Sequence, residues 1–223
     1  MKRRTLDIIF AGGGLVVAAL LVALGLALHG EHSFSTEYVR GELAAQKITF
    51  PTADKLTDAE KNWKPGSVAL TTYAGQLVQT GPQAEAYAKY YIAAHMDASA
   101  TNAGFPGATY ATLGTTRTEL SAEIAAAKAK GDTAAAAAAQ KKLDAATSLR
   151  TTMQTGETLR GLLLTTYGFS VIGEKAGLAA NIMYGLAALM VLLSIAGFIH
   201  AYVTPKNKVI FPVTGWANEP ARA

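Results

Sequence analysis

None of the 223 residues is a cysteine, so the chain forms no disulfide, carries no lipid on a thiol and offers no thiolate to a metal. Its fold must hold together by packing or by a partner. Catalytic signatures are missing as well. There is no phosphate loop, no G-x-S-x-G elbow and no H-E-x-x-H, and the four histidines form no ligand cluster. The sequence gives no positive reason to expect a catalytic residue, a cofactor or a metal. Net charge is missing from the middle, where residues 31–175 carry 14 basic and 14 acidic side chains. Charge of either sign is absent from residues 8–28, and from residues 178–203 apart from a titratable His200.

Those two uncharged runs are the strongest feature present. Residues 8–28 number 21, twelve of them Leu, Ile, Val or Phe. As a helix they rise about 31 Å, against ~30 Å of bilayer hydrocarbon, and a lone segment in lipid satisfies its own amides only as a helix. Residues 178–203 number 26 and are long enough to span with some tilt. Direction follows from lysine and arginine. Lys2, Arg3 and Arg4 precede the first run, while Lys206, Lys208 and Arg222 follow the second, opposed only by Asp7 and Glu219. These ends account for the whole formal charge of +4. By the positive-inside rule both termini are expected in the cytoplasm, with the middle exported across the inner (plasma) membrane. The pI of 9.2 then reports topology, and no nucleic-acid partner is expected, since that would need the charge on one folded face. A cleaved signal peptide would have a shorter apolar region, and Gly25-Leu26-Ala27 is only an approximation to a cleavage site. The first run is expected to stay as an anchor.

The expected organisation is a cytoplasmic N-terminus (1–7), a transmembrane helix (8–28), an exported helical domain (29–177), a second transmembrane helix (178–203) and a cytoplasmic tail (204–223). This is an all-α membrane protein. Within the exported part, Ser35 or Thr36 is a candidate cap for a short helix leaving the membrane. Thr57-Asp58-Ala59-Glu60 reads as a short helix start between the breaks at Pro51 and Pro65. Pro82 opens a helix over 83–97 whose Tyr87, Tyr90, Tyr91 and Ala94 share a face, and 101–107 is a loop. Thr116-x-x-Glu119 has the form of a capping box ahead of Leu120 and Ile124, and that helix ends at Gly131-Asp132. The alanine run 134–139 starts the next helix, with Leu149, Met153, Gly156 and Leu163 as its packing face. Gly131 is then the turn of a long antiparallel αα-hairpin. Residues 161–173 are uncharged but too few to cross a bilayer, so they continue that helix to the membrane surface, with Glu174 and Lys175 at the headgroups. Tyr167 and Phe169 suit that interface.

Among candidate sites, His29 and His32 read as a hydrated pair where the first span ends. His95-Met96 would suit copper only with further ligands and reads as packing. His200 lies one turn from the cytoplasmic end, within reach of water, although ionisable groups in spans lean towards function. Gly12, Gly13 and Gly14 carry more weight, because glycine in a span gives up packing area unless another backbone comes close. Gly14-x-x-x-Ala18, Ala23-x-x-x-Ala27 and Gly185 with Ala188 fit the same small-residue contacts. Helix–helix contact is the activity the residues favour most.

Four segments follow one another before the second span: Gly81-Pro82-Gln83-Ala84-Glu85-Ala86-Tyr87, Ile92-Ala93-Ala94-His95, Gly107-Ala108-Thr109-Tyr110 and Thr158-Leu159-Arg160-Gly161-Leu162-Leu163. In this order they resemble a family of actinobacterial two-span membrane proteins with an exported helical domain. The chain is similar to the prokaryotic respiratory supercomplex association factors, accessory subunits seen with the cytochrome bcc–aa3 oxidase assembly. The resemblance covers roughly the latter half of the exported part. It implies a non-catalytic, cofactor-free role with the spans packed beside larger respiratory subunits, and makes His95, Tyr110 and Arg160 structural positions. Proteins of this type are often described as aromatic ring-opening dioxygenases, but a non-haem iron site needs convergent histidine and carboxylate ligands that this sequence does not display. The alternative is a stand-alone exported sensor or ligand-binding membrane protein using the tyrosine-lined helix and the 101–107 loop.

Overall fold

The computed structural model describes residues 2–62, 66–206 and 208–209. Pro65, Glu219 and Arg222, and with them most of the expected cytoplasmic tail, lie outside the described residues. The chain is mostly helical, and no strand occurs among the described residues, where extended pairing is confined to isolated bridges at Lys2–Val209 and Thr49–Leu77. The helices are α1 (Arg3–Ala45), α2 (Asp58–Asn62), α3 (Ser67–Thr72), α4 (Gly81–Ala86), α5 (Ala93–Asn102), α6 (Tyr110–Ala129) and α7 (Thr133–Val203), and a π-helical segment, Tyr87–Ile92, joins α4 to α5. Two of them, α1 with 43 residues and α7 with 71, are long and apolar enough to cross a membrane. The chain forms two compact units, one of Met1–Phe34 with Gly173–Ala223 and one of Ser35–Ile172.

The first unit is the paired apolar parts of α1 and α7. Their ends are tied by Arg3 N donating to Lys208 O at 3.1 Å, beside the Lys2–Val209 bridge.

The second unit has a core in which Phe50, Leu70, Val78, Leu113, Met153 and Leu163 are almost wholly removed from solvent. Local signals explain most of its elements. Thr57 and Glu60 cap α2 reciprocally: Glu60 Oε2 accepts from Thr57 N at 2.7 Å, and Thr57 Oγ1 accepts from Glu60 N at 3.2 Å. Thr80 and Gln83 do the same for α4, with Pro82 in the first turn. Gly131 takes φ +72° between α6 and α7, and Asp132 Oδ1 accepts from Ala135 N at 2.9 Å to cap α7. Two contacts join those helices beyond the turn: Arg117 Nε donates to Thr147 Oγ1 at 3.0 Å, and the Arg150 guanidinium lies 3.8 Å from the centre of the Tyr110 ring.

Three expectations are corrected. No cap interrupts α1 at Ser35 or Thr36. Ser35 is an interior helical residue whose Oγ donates to Phe169 O at 3.1 Å, and Val39 and Leu43 behind it are buried, so packing outweighs the local capping tendency. The start of α6 is not the Thr116-x-x-Glu119 pattern. Thr109 Oγ1 accepts from Thr112 N at 3.2 Å while Thr112 Oγ1 accepts from Thr109 N at 2.8 Å, a box with threonine in both places. Thr116 instead donates to Thr112 O within the helix. The tyrosine helix also runs past Asp97 to Asn102 and contains the π-helical segment, a feature that local propensities do not encode.

Candidate functional site

Two places stand out, one in each unit. In the first unit, α1 meets α7 along a row of small residues. A Cβ added at Gly14 would run into the Ser194 hydroxyl, and one at Gly197 would lie 3.1 Å from Ala11 Cβ. Added at Gly25 it would come within 2.6 Å of the Tyr184 ring, and at Gly177 within 2.8 Å of His32. As the α1 partner runs from Ala11 to His32, the α7 partner runs back from Gly197 to Gly177, so the helices are antiparallel. The α1 positions 11, 14, 18, 25 and 32 step by three, four and seven, the 3.5-residue repeat that keeps one seam facing its partner in a left-handed pair. Ala18, Ala180, Ala187 and Ala201 are buried on it. At one end His200 Nδ1 and Asp7 Oδ2 are 3.0 Å apart, and at the other His32 Nδ1 lies 2.9 Å from Gly173 O.

The structure therefore separates the three adjacent glycines. Gly14, with Ala18, faces α7, whereas Gly12 and Gly13 have nothing within 4 Å of an added Cβ. Ala23, Ala27, Gly185 and Ala188 are exposed in this chain. Ala11, Gly25, Gly177, Ser194 and Gly197 were missed as seam residues, although their 3.5-residue spacing is legible once both runs are aligned antiparallel.

In the second unit, an aromatic column runs along the π-helical segment into α5. Ring centres are 5.1 Å apart for Phe50 and Tyr87, 4.8 Å for Tyr87 and Tyr91, and 4.3 Å for Tyr91 and His95. Burial, and secondarily the neighbouring Tyr91, pushes the Tyr87 phenol up to about 12. Burial and then the Glu60 carboxylate raise that of Tyr91. Glu60 is 2% exposed, and its Oε1 lies 3.4 Å from His95 Nδ1. Beside this column is an open groove of about 680 Å³, walled by Tyr91, His95 and Met96 on one side and by Thr151, Thr152 and Thr155 of α7 on the other. Its far wall comes from α7 and not from the 101–107 loop. Gly156 makes room for Met96, whose Sδ would sit 2.7 Å from an added Cβ.

The remaining singled-out residues have packing contacts. Arg160 Nε donates to Ala88 O at 3.1 Å, and its Nη1 pairs with Glu157 at 2.7 Å. Tyr110 carries Arg150 on its face. The His29 and His32 rings are 6.3 Å apart. Among the described residues no three His, Asp or Glu side chains converge as a metal site would require. Glu60 was missed as a partner of His95, because 34 intervening positions separate them in sequence. Comparison with protein-family models, with curated proteins and with solved structures gives no match.

Proposed function

We propose that this chain is a two-span membrane protein acting as a non-catalytic accessory subunit of a larger membrane assembly. The resemblance in sequence points to the cytochrome bcc–aa3 oxidase supercomplex. In this reading both termini are cytoplasmic, residues 8–28 and 178–203 cross the inner membrane, and the helical domain of residues 29–177, with its αα-hairpin of α6 and the start of α7, is exported. The observation that carries the proposal is a second small-residue stripe on α1. Gly12, Ala19, Ala23 and Gly30 are accessible, and at 100° per residue they fall within about 40° of one another, on a different face from the Gly14 seam. Glycine there serves no contact among the described residues: nothing lies within 4 Å of an added Cβ at Gly12 or Gly30. Small residues let a helix of another subunit approach closely. The flanking surface agrees, since Val16 (62% exposed) and Leu26 (61%), about 40° to either side, need lipid or a neighbouring helix around them.

The test is gentle solubilisation followed by sizing and identification of what co-purifies. Migration with oxidase subunits is expected, and migration only as a small free species counts against the proposal. Gly12→Leu, on that stripe, is expected to weaken that association without affecting insertion or the α1–α7 seam, because nothing lies within 4 Å of an added Cβ there. A second reading, an exported ligand-binding protein, is favoured by one observation, the groove beside His95.

A further inference from the structure

We infer that the groove between α5 and α7 binds a small amphiphilic organic cation, an ammonium group on an apolar body. At about 680 Å³ the groove has the size of small-molecule sites. Its chemistry follows from counting donors. Ser99, Thr151, Thr152 and Thr155 each spend the hydroxyl proton on a carbonyl of their own helix, at 2.7, 3.3, 3.3 and 3.2 Å, which leaves oxygen lone pairs as what they offer a ligand. No lysine or arginine lines the groove.

His95 adds a further acceptor. Its Nδ1 is turned to buried Glu60, whose Oε2 is held by Thr57 and whose Oε1 accepts no hydrogen bond among the described residues. When the imidazole is neutral with its proton on Nδ1, facing that carboxylate, Nε2 is the ring's acceptor. The Tyr91 ring, stacked on His95, supplies a π face. Beside the Ser148 and Tyr91 hydroxyls, which can also donate, the wall offers acceptors and an aromatic face with a buried carboxylate behind it, a setting that suits an ammonium donor and disfavours a carboxylate or phosphate. The inference concerns this groove alone and does not depend on which assembly the spans join.

The experiment uses the full chain, with ¹³C-labelled histidine, in phosphatidylcholine nanodiscs. It follows the His95 Cε1 resonance, assigned by its loss in His95→Gln. Three probes share one phenyl ring on a short linker to different polar groups: 2-phenylethylammonium, 2-phenylethanol and phenylacetate. The ammonium is expected to give a saturable shift, the alcohol to bind about tenfold more weakly, and phenylacetate to give no shift. Glu60→Gln keeps an oxygen to cap α2 while removing the charge, and is expected to weaken the ammonium about tenfold and leave the alcohol unchanged. Thr152→Trp, at an exposed rim position, fills the groove and abolishes all responses. Phenylacetate binding as tightly as the ammonium, no saturable shift from any probe, or a shift that survives Thr152→Trp overturns the inference.

Discussion

The absence of cysteine makes the α1–α7 seam directly measurable, because any cross-link must come from residues introduced on purpose. In the structure a Cβ at position 197 would lie 3.1 Å from Ala11 Cβ, a few tenths of an ångström closer than the ~3.5–4.5 Å typical of a disulfide. A slight widening of the seam brings Ala11→Cys and Gly197→Cys into bonding geometry. Oxidation of isolated membranes with copper phenanthroline is therefore expected to join them within one chain, read as a mobility shift that reductant reverses. Gly13→Cys with Gly197→Cys is the control, since Gly13 faces open space, and it is expected to stay reduced. A third substitution sets the energetic scale. At Gly14 a new Cβ meets the Ser194 hydroxyl, which can rotate away for alanine but not for the branched bulk of leucine. Overpacking of this kind costs about 1–3 kcal/mol, or roughly 5- to 150-fold in the ratio of paired to separated helices. Adding Gly14→Leu should lower the cross-linking rate by a factor in that range. Equal cross-linking of test and control pairs, or an undiminished rate with Gly14→Leu, refutes the seam.

Three further outcomes follow from the helices of the second unit. Met153→Ala, at a position 1% exposed, should cost about 2–5 kcal/mol in denaturant unfolding of the helical domain. Thr109→Ala removes the acceptor for Thr112 N and should cost about 1 kcal/mol by the same measurement, while Thr116→Ala should be close to neutral, because its hydroxyl serves only its own helix. The Tyr87 phenol keeps its proton to about 12 when folded against 10.0 in the unfolded chain. The folded state therefore binds the extra proton between those values, its contribution is complete below pH 10, and stability falls as pH rises towards 12. Tyr87→Phe should flatten that decline in alkaline denaturation curves, and an unchanged slope would show that burial of this phenol is not its cause.

Helical class and the two apolar runs were readable because uncharged length and the count of Leu, Ile, Val and Phe are properties of short windows. Readings that failed asked a local pattern to decide between competing local solutions. Ser35 and Thr36 look like caps, but Ser35 lies where α1 already packs on α7, and its hydroxyl serves a carbonyl 134 positions away. Thr116 and Glu119 match a capping box, yet Thr109 and Thr112 form one earlier, directly after the turn at Gly107 with φ +72°. Of the adjacent glycines, 3.6-residue geometry guarantees that they point in different directions, and only the partner helix tells which is which. Nothing local announces the meeting of Glu60 with His95, because it depends on a stretch of chain returning to its starting point.

That return has a further consequence. Phe50 N bonds to Gln76 O at 2.9 Å and Val78 N to Ile48 O at 2.8 Å, so the chain leaves and rejoins the domain at a single clasp. Beyond the clasp, Leu56, Glu60 and Leu70 are fastened by that junction and by their own burial. The carboxylate set 3.4 Å from His95 Nδ1 is thus held in place by how firmly a distant excursion is buttoned down. A void opened beneath Leu70, which lines no part of the groove, would be felt there as a change in that separation.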